Sequence, residues 1–148
     1  MALIAEPLIP GAASRGLGLA LRAPISFWGG VDPATGTIID ARHPDRGRNI
    51  AGTVLALPGT IGSSSASAVL LELVHAGRAP AALLLDQPDA ILLLGLVVAR
   101  EMGWPCPPAF RLAAALQAEL DAKPLRIMAD GAIALDEEPG DRSMTGGL

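Results

Sequence analysis

Pro58-Gly59-Thr60-Ile61-Gly62-Ser63-Ser64-Ser65-Ala66-Ser67 is the stretch whose residue types and spacing bear most directly on chemistry. It follows Gly52-Thr53-Val54-Leu55-Ala56-Leu57, which reads as a buried strand, and precedes Val69-Leu70-Leu71-Glu72-Leu73-Val74, which reads as the first turns of a helix. Hydroxyls gathered at such a junction lie beside main-chain N–H groups that lack intrahelical acceptors, and the helix dipole favours negative charge there. The pattern therefore suits a carboxylate or a phosphate. Serine is also among the best helix N-caps. One serine satisfies a cap, whereas this chain sets Ser63, Ser64 and Ser65 in succession and adds Ser67. On the residues alone, a functional loop and a capping loop both stand open.

The other candidates are more scattered. His43 precedes Pro44 in the polar run 43–49, which reads as exposed, so His43 is either a surface residue or a substrate contact. Trp28-Gly29-Gly30 is either a tight turn packed on the core or part of a mouth facing a partner. His75 falls at a helix end, where it complements the dipole. Asp86 and Asp89 read as caps of a second helix, and their spacing does not suit a catalytic carboxylate pair. Cys106, the single cysteine, lies between prolines and reads as a buried thiol. Alone it forms no internal disulfide and holds neither a metal nor an iron–sulfur cluster.

The elements that must position these residues follow from periodicity. Leu17, Leu19 and Leu21 alternate as in a strand with one buried face, ended by Pro24. Residues 27–33 form a loop, and Thr37–Asp40 a short strand. The serine loop leads into a helix that stops at Gly77, with Pro80 beyond it. Ala81–Leu85 is a continuous apolar run, as in a strand covered on both faces. Asp89 opens a helix over 90–102, closed by Gly103. Residues 105–110 are extended and 112–120 helical. Asp130-Gly131 between two apolar runs is a hairpin signal. The expected fold is a mixed α/β domain, a barrel-like sheet with helices outside, over residues 1–136; residues 137–148 read as a mobile tail.

Composition narrows the function classes. The 148 residues suffice for one domain with a real core, and 51% are hydrophobic while aromatics make up only 3%. Aliphatic side chains must therefore fill that core. The formal net charge of −4 and the absence of a basic patch give no support for nucleic-acid binding. The N-terminus lacks the basic n-region and long apolar run of a secretory signal. The longest uninterrupted apolar piece, 90–99, is too short to span a bilayer, so no membrane role is expected. A chain without disulfides fits a reducing cytoplasm.

With these residues in view, the chain resembles the aconitase X small subunit, a swivelling β/β/α domain related to the mobile domain of aconitase. The resemblance covers about residues 8 to 136. It rests on an ordered set: Ser26-Phe27-Trp28-Gly29-Gly30-Val31-Asp32-Pro33, Thr35-Gly36 with Ile39-Asp40, and His43-Pro44. The set continues with Gly62-Ser63-Ser64-Ser65, Leu70-Leu71-Glu72-Leu73, and Gly77 with Ala79-Pro80-Ala81. The chain departs from many members at Ala66, where they have glycine, and at Thr60-Ile61, where some carry a basic residue.

The resemblance implies a hydro-lyase built from two parts. The swivel domain pairs with a larger chain that holds an iron–sulfur cluster, and this chain itself binds no cofactor. Members dehydrate cis-3-hydroxy-L-proline, a small imino acid, or a phosphorylated mevalonate. The swivel domain contributes a serine in a Gly-Ser-Ser context as the base that takes the α-proton. By position that serine is Ser63. Gly62, Ser64 and Ser65 then bind the substrate carboxylate or hold the loop. Trp28, Gly29, Gly30 and His43 are further site candidates. The competing classes are a stand-alone anion-binding module and an interaction domain whose serines only cap a helix.

Overall fold

Continuous apolar runs become strands that are covered on both faces. In the computed structural model, which describes residues 3–136, every residue of Val54–Leu57 and of Ala82–Leu85 is buried. In chain order the strands are β1 (Leu3–Ile4), β2 (Glu6–Ile9), β3 (Ser14–Ala20), β4 (Val54–Leu57), β5 (Ala82–Leu85), β6 (Ala109–Arg111), β7 (Pro124–Ile127) and β8 (Ala132–Leu135). The helical pieces are the turn α1 (Phe27–Gly30), α2 (Ala66–His75), α3 (Ala90–Glu101), α4 (Ala114–Gln117) and a 3₁₀ turn over Ala118–Leu120.

The strands form one eight-stranded sheet in the order β1-β8-β7-β3-β4-β5-β6-β2. β3, β4, β5 and β6 run parallel, with α2 and α3 as the crossovers between β4, β5 and β6. The flanking pairs are antiparallel. The N-terminal segment closes the sheet towards a barrel: β1 pairs with β8 at one edge, and β2 pairs with β6 at the other. Between them the Ala5 N–H donates to Gly131 O at 2.8 Å.

Side-chain alternation splits the interior into two cores. Leu55, Leu57, Leu83 and Leu85 face the helices and pack with Leu70, Leu73, Leu92 and Leu96. Val54, Ala56, Ala82 and Leu84 point the other way, into the barrel, with Phe110, Leu125, Ile127 and Ile133. On β4 and β5 the outer face carries four leucines and the inner face Val54, Ala56, Ala82 and Leu84, a smaller set that fits a sheet curling around its inner side. Gly18 belongs to this inner side, where a Cβ would come within 1.9 Å of Leu120 O. Both crossover helices end as expected: Gly77 (φ +71) and Gly103 (φ +72) follow the last turn. Arg78 N–H donates back to Leu73 O, and Trp104 N–H to Ala99 O, the bonds of a Schellman stop.

Several expectations need correction. β1 and β2 were not foreseen. Thr37–Asp40 is no strand; it holds only the isolated bridges Thr37 to Asn49 and Val31 to Ile38, and its main chain bonds to the surrounding turns, with Ile38 N–H donating to Arg48 O and Ile39 N–H to Gly30 O. The segment 112–120 is a four-residue α-turn running into a 3₁₀ turn. The polar run 43–49 is not wholly exposed: His43 and Asp45 are buried. Asp86 does not cap the second helix. Its Oδ1 instead accepts the Ala114 N–H at 2.8 Å, at the start of α4, where Ala113 offers no side-chain cap. The tail over 137–148 lies outside the described residues.

Candidate functional site

The carboxyl ends of the parallel strands β4 and β5 point the same way, and open α/β sheets place ligands in the crevice there. The chain leaves β4 at Leu57-Pro58 into the serine loop, and leaves β5 into Asp86-Gln87-Pro88-Asp89. Between the two exits lies a cleft of about 510 Å³, lined among others by Gly59, Thr60, Asp86, Gln87, Asp89 and Ile91.

The loop has a fixed root and a freer tip. Ile61 N–H donates to Ile25 O at 3.0 Å and Ile25 N–H to Gly59 O at 3.4 Å, which lays the root beside the segment leading to Trp28. Thr60 Oγ1 donates to Asp89 Oδ2 at 2.7 Å. The opposite oxygen, Asp89 Oδ1, accepts the Ile91 and Leu92 N–H groups and caps α3, as expected for Asp89.

Beyond Ile61 the bonds stay within the loop and the first turn of α2. Ser63 Oγ accepts the Ser65 N–H at 3.2 Å, and Ser63 O accepts the Ala66 N–H at 3.1 Å. Ser67 Oγ donates weakly to Ser64 O at 3.4 Å. Ser65, the residue before α2, is helical in its own backbone and makes no side-chain cap bond. A pure capping loop would spend its hydroxyls on helix amides, and this one does not. Gly62 and Ser64 are exposed, while Ser63 and Ser65 are half-buried. The serines do not line the cleft; they follow Thr60, which does.

Two large apolar side chains are exposed on the loop and on the segment bonded to its root. Ile61 is 55% exposed and Trp28 60%, unusual values for such side chains. Trp28 sits in α1, whose backbone breaks from helical geometry at Trp28 itself and at Gly29 (φ +79). Gly29 is required by that left-handed angle. Gly30 is buried, and a Cβ there would meet Ile25 Cγ1 at 3.0 Å.

His43 stands elsewhere in role. Its Nδ1 accepts the Asp45 N–H at 3.0 Å, so the proton sits on Nε2, which donates to Ala23 O at 3.0 Å. Both ring nitrogens are committed to main chain. Asp45 is the hub of this region, with its carboxylate accepting the Arg22 N–H, Arg22 Nε and Arg48 Nη1. Burial pushes its pKa up, but the Arg22 main-chain N–H and the Arg22 and Arg48 guanidiniums outweigh that and hold it below 3.8. Sequence reasoning missed Asp45, because two of its three donors come from Arg22, 23 residues away just beyond β3. It also missed the Thr60–Asp89 bond and the buried Gln117.

Cys106 lies just before β6, at the opposite end of the sheet from the serines. It is half-buried rather than buried, its Sγ is 3.5 Å from Leu96 O, and burial pushes its thiol pKa up against the pull of Arg100. His75 stacks on Trp104 at the C-terminal end of α2, with ring centroids 4.6 Å apart. Among the described residues, no group of three or more His, Cys, Asp or Glu side chains could hold a metal ion. The donor set of these residues does not fit an iron–sulfur cluster. Among them, too, no helix is long and apolar enough to cross a membrane.

Comparison with known proteins places this geometry. The family described as the aconitase X swivel domain matches residues 3–138. The chain belongs to that family. It is 45% identical over 138 residues to the cis-3-hydroxy-L-proline dehydratase of Pseudomonas aeruginosa, covering 92% of this chain and 23% of that protein. It is 42% identical over 85 residues to the phosphomevalonate dehydratase small subunit of Methanothermobacter thermautotrophicus, covering 57% of this chain and 65% of that one. The chain thus spans under a quarter of the first of these relatives and about two thirds of the second. The crystal structure of Thermococcus kodakaraensis aconitase X superposes with a TM-score of 0.78 at 27% identity, over 93% of this chain and 99% of that one. The swivel-domain fold expected from the sequence is therefore the fold observed.

Proposed function

We propose that this chain is the swivel part of an aconitase X-type hydro-lyase that dehydrates cis-3-hydroxy-L-proline, with Ser63 as the base. The observation that carries this reading is the Gly62–Ser65 tip. It follows the carboxyl end of β4, next to exposed Ile61 and to the segment that carries exposed Trp28. The chain that carries it is 45% identical, along most of its length, to a protein of that name.

Dehydration next to a carboxylate needs a base for the α-proton and donors for the charge that develops on the carboxylate. It also needs an acid or Lewis acid, to be supplied by the partner chain, that takes the leaving hydroxyl as water. A serine hydroxyl is a weak base until its oxyanion is stabilised. Ser63 Oγ already receives the Ser65 N–H, and the N-terminus of α2 adds its dipole, so an alkoxide at Ser63 is favoured there. Ser64 and Ser65 offer hydroxyls, and exposed Gly62 a main-chain N–H, for the substrate carboxylate. A large partner chain carries the iron–sulfur cluster, supplies the rest of the site and closes on the Trp28–Ile61 face, in the cytoplasm. The phosphomevalonate alternative is disfavoured by the loop itself: residues 58–67 contain no lysine or arginine to meet a phosphate.

Co-expression with a cysteine-rich large chain of the family tests the reading. The complex should convert cis-3-hydroxy-L-proline, the isolated chain should not, and Ser63→Ala should abolish turnover in an intact complex. A complex that forms but leaves the imino acid untouched refutes the substrate assignment.

A further inference from the structure

We infer that Gln117 is a positioning residue for the serine loop, fixing the direction in which the loop leaves the sheet. Only 2% of Gln117 is exposed. Its Nε2 donates to Leu57 O at 3.0 Å and to Leu112 O at 2.9 Å. Its Oε1 is buried and has no partner among the described residues. A buried acceptor without a donor costs free energy that an apolar side chain of the same size would not. Packing alone therefore does not account for a glutamine here, whereas its two N–H bonds do.

Those bonds reach the root of the loop. The Leu57 carbonyl belongs to the Leu57–Pro58 peptide, so holding its oxygen sets ψ of Leu57. The proline ring sets the next torsion, φ of Pro58. The carbonyl's other donor, the Asp86 N–H, is longer at 3.3 Å. The second Nε2 bond holds Leu112 O, and the Leu112 N–H in turn donates to Leu85 O at 2.9 Å. One chain of hydrogen bonds thus ties together the exits of β4, β5 and β6. Among the described residues, the only element that Gly62–Ser65 bonds is the first turn of α2, which the loop itself leads into, so an error at the root is carried out to Ser63.

The structural arm of this inference stands by itself, and its catalytic arm rests on the reading of Ser63 as a base. The test uses Gln117→Met, which keeps length and loses both donors, and Gln117→Glu, which donates only when protonated. In the full chain, amide exchange at Ile25, Ile61 and Asp86 should accelerate roughly tenfold, the worth of one lost hydrogen bond, while Arg78 and Met128 hold the wild-type rate. In the complex with its large chain, kcat should fall roughly 10²-fold at unchanged KM, as expected for a misplaced base. Equal acceleration at all these amides, or none at Ile25 and Ile61, overturns the inference. So does kcat that merely follows the folded fraction. Should neither variant fold, the wild-type Gln117 side-chain amide protons decide: slow exchange is expected, and exchange at the rate of an exposed amide overturns the inference. If the complex proves to have no dehydratase activity, the exchange arm still decides whether Gln117 sets the loop.

Discussion

Thr60 Oγ1 and Asp89 Oδ2 lie 2.7 Å apart and join the serine loop to the N-terminus of α3. The same carboxylate caps that helix through its other oxygen, so one residue serves both the loop after β4 and the helix after β5. A charge-assisted hydrogen bond of this length is among the stronger ones.

The two contributions separate in a double-mutant cycle. Thr60→Val breaks the cross-link alone and should cost about 1 kcal/mol. Asp89→Ala removes the cap as well and should cost about 1–2 kcal/mol more. In the Asp89→Ala background, Thr60→Val should cost almost nothing. Denaturant melts of the four proteins measure the coupling, and strictly additive losses would show that the bond contributes nothing.

Ser63 and Ser67 should respond in opposite ways. In the assembled enzyme, Ser63→Ala should lower kcat by roughly 10²–10⁴-fold or more with the melting temperature little changed. Ser67 Oγ makes only a 3.4 Å bond to Ser64 O, so Ser67→Ala should leave turnover close to normal. If the serines served only the helix, each alanine would instead lower stability by about 0.5–2 kcal/mol and spare the rate per folded enzyme.

The elements that the sequence discloses are those with local causes. β4, α2, β5, α3 and the β7–β8 hairpin each have an apolar run bounded by a cap, a glycine stop or an Asp-Gly turn. Gly77 and Gly103 stop their helices as read. β1 and β2 had no such signature, because they are short and their partners are remote: Leu3 pairs with Ile133, and Ile9 with Ala109. Gly16 and Gly18 did carry a signal, since glycine alternating within a strand marks a close backbone approach. It was hidden by the leucines between them. The serine loop was visible as a cluster. Its supports, Thr60–Asp89 and Gln117, were not, because each bonds across 29 or 60 residues of sequence. Asp45 read as one more surface charge for the same reason.

Asp45 gives the fold a definite acid dependence. Its folded pKa lies below the ordinary 3.8, so its contribution is complete above that value and is lost as pH falls through the folded pKa. Asp45→Asn should cost about 1.5–3 kcal/mol at neutral pH, the range for hydrogen bonds to a charged group. The gap between variant and wild type should shrink below about pH 4, as the wild-type carboxylate takes up its proton. Urea melts at neutral pH and in acid read this directly. A gap that stays constant across that range would show that the Arg22 and Arg48 contacts do not hold the charge.

Trp28 should anchor the large partner chain. A tryptophan 60% exposed beside an isoleucine 55% exposed is apolar area that a free domain does not need. The Ile61–Ile25 hydrogen bond ties their two segments together next to the serine loop. Buried aromatic anchors near the middle of an interface dominate its binding energy. Trp28→Ala should therefore weaken assembly by about 2 kcal/mol or more, roughly a 30-fold rise in Kd. Because the side chain is exposed, the melting temperature of the isolated chain should hardly move. Met102→Ala serves as the control: that residue is also exposed, at 55%, but lies at the C-terminal end of α3, away from the serine loop. Titrating the large chain with each variant measures the difference. Equal affinities for wild type and Trp28→Ala would place the interface elsewhere, and would leave the exposed Trp28 without a partner at the rim of the serine loop.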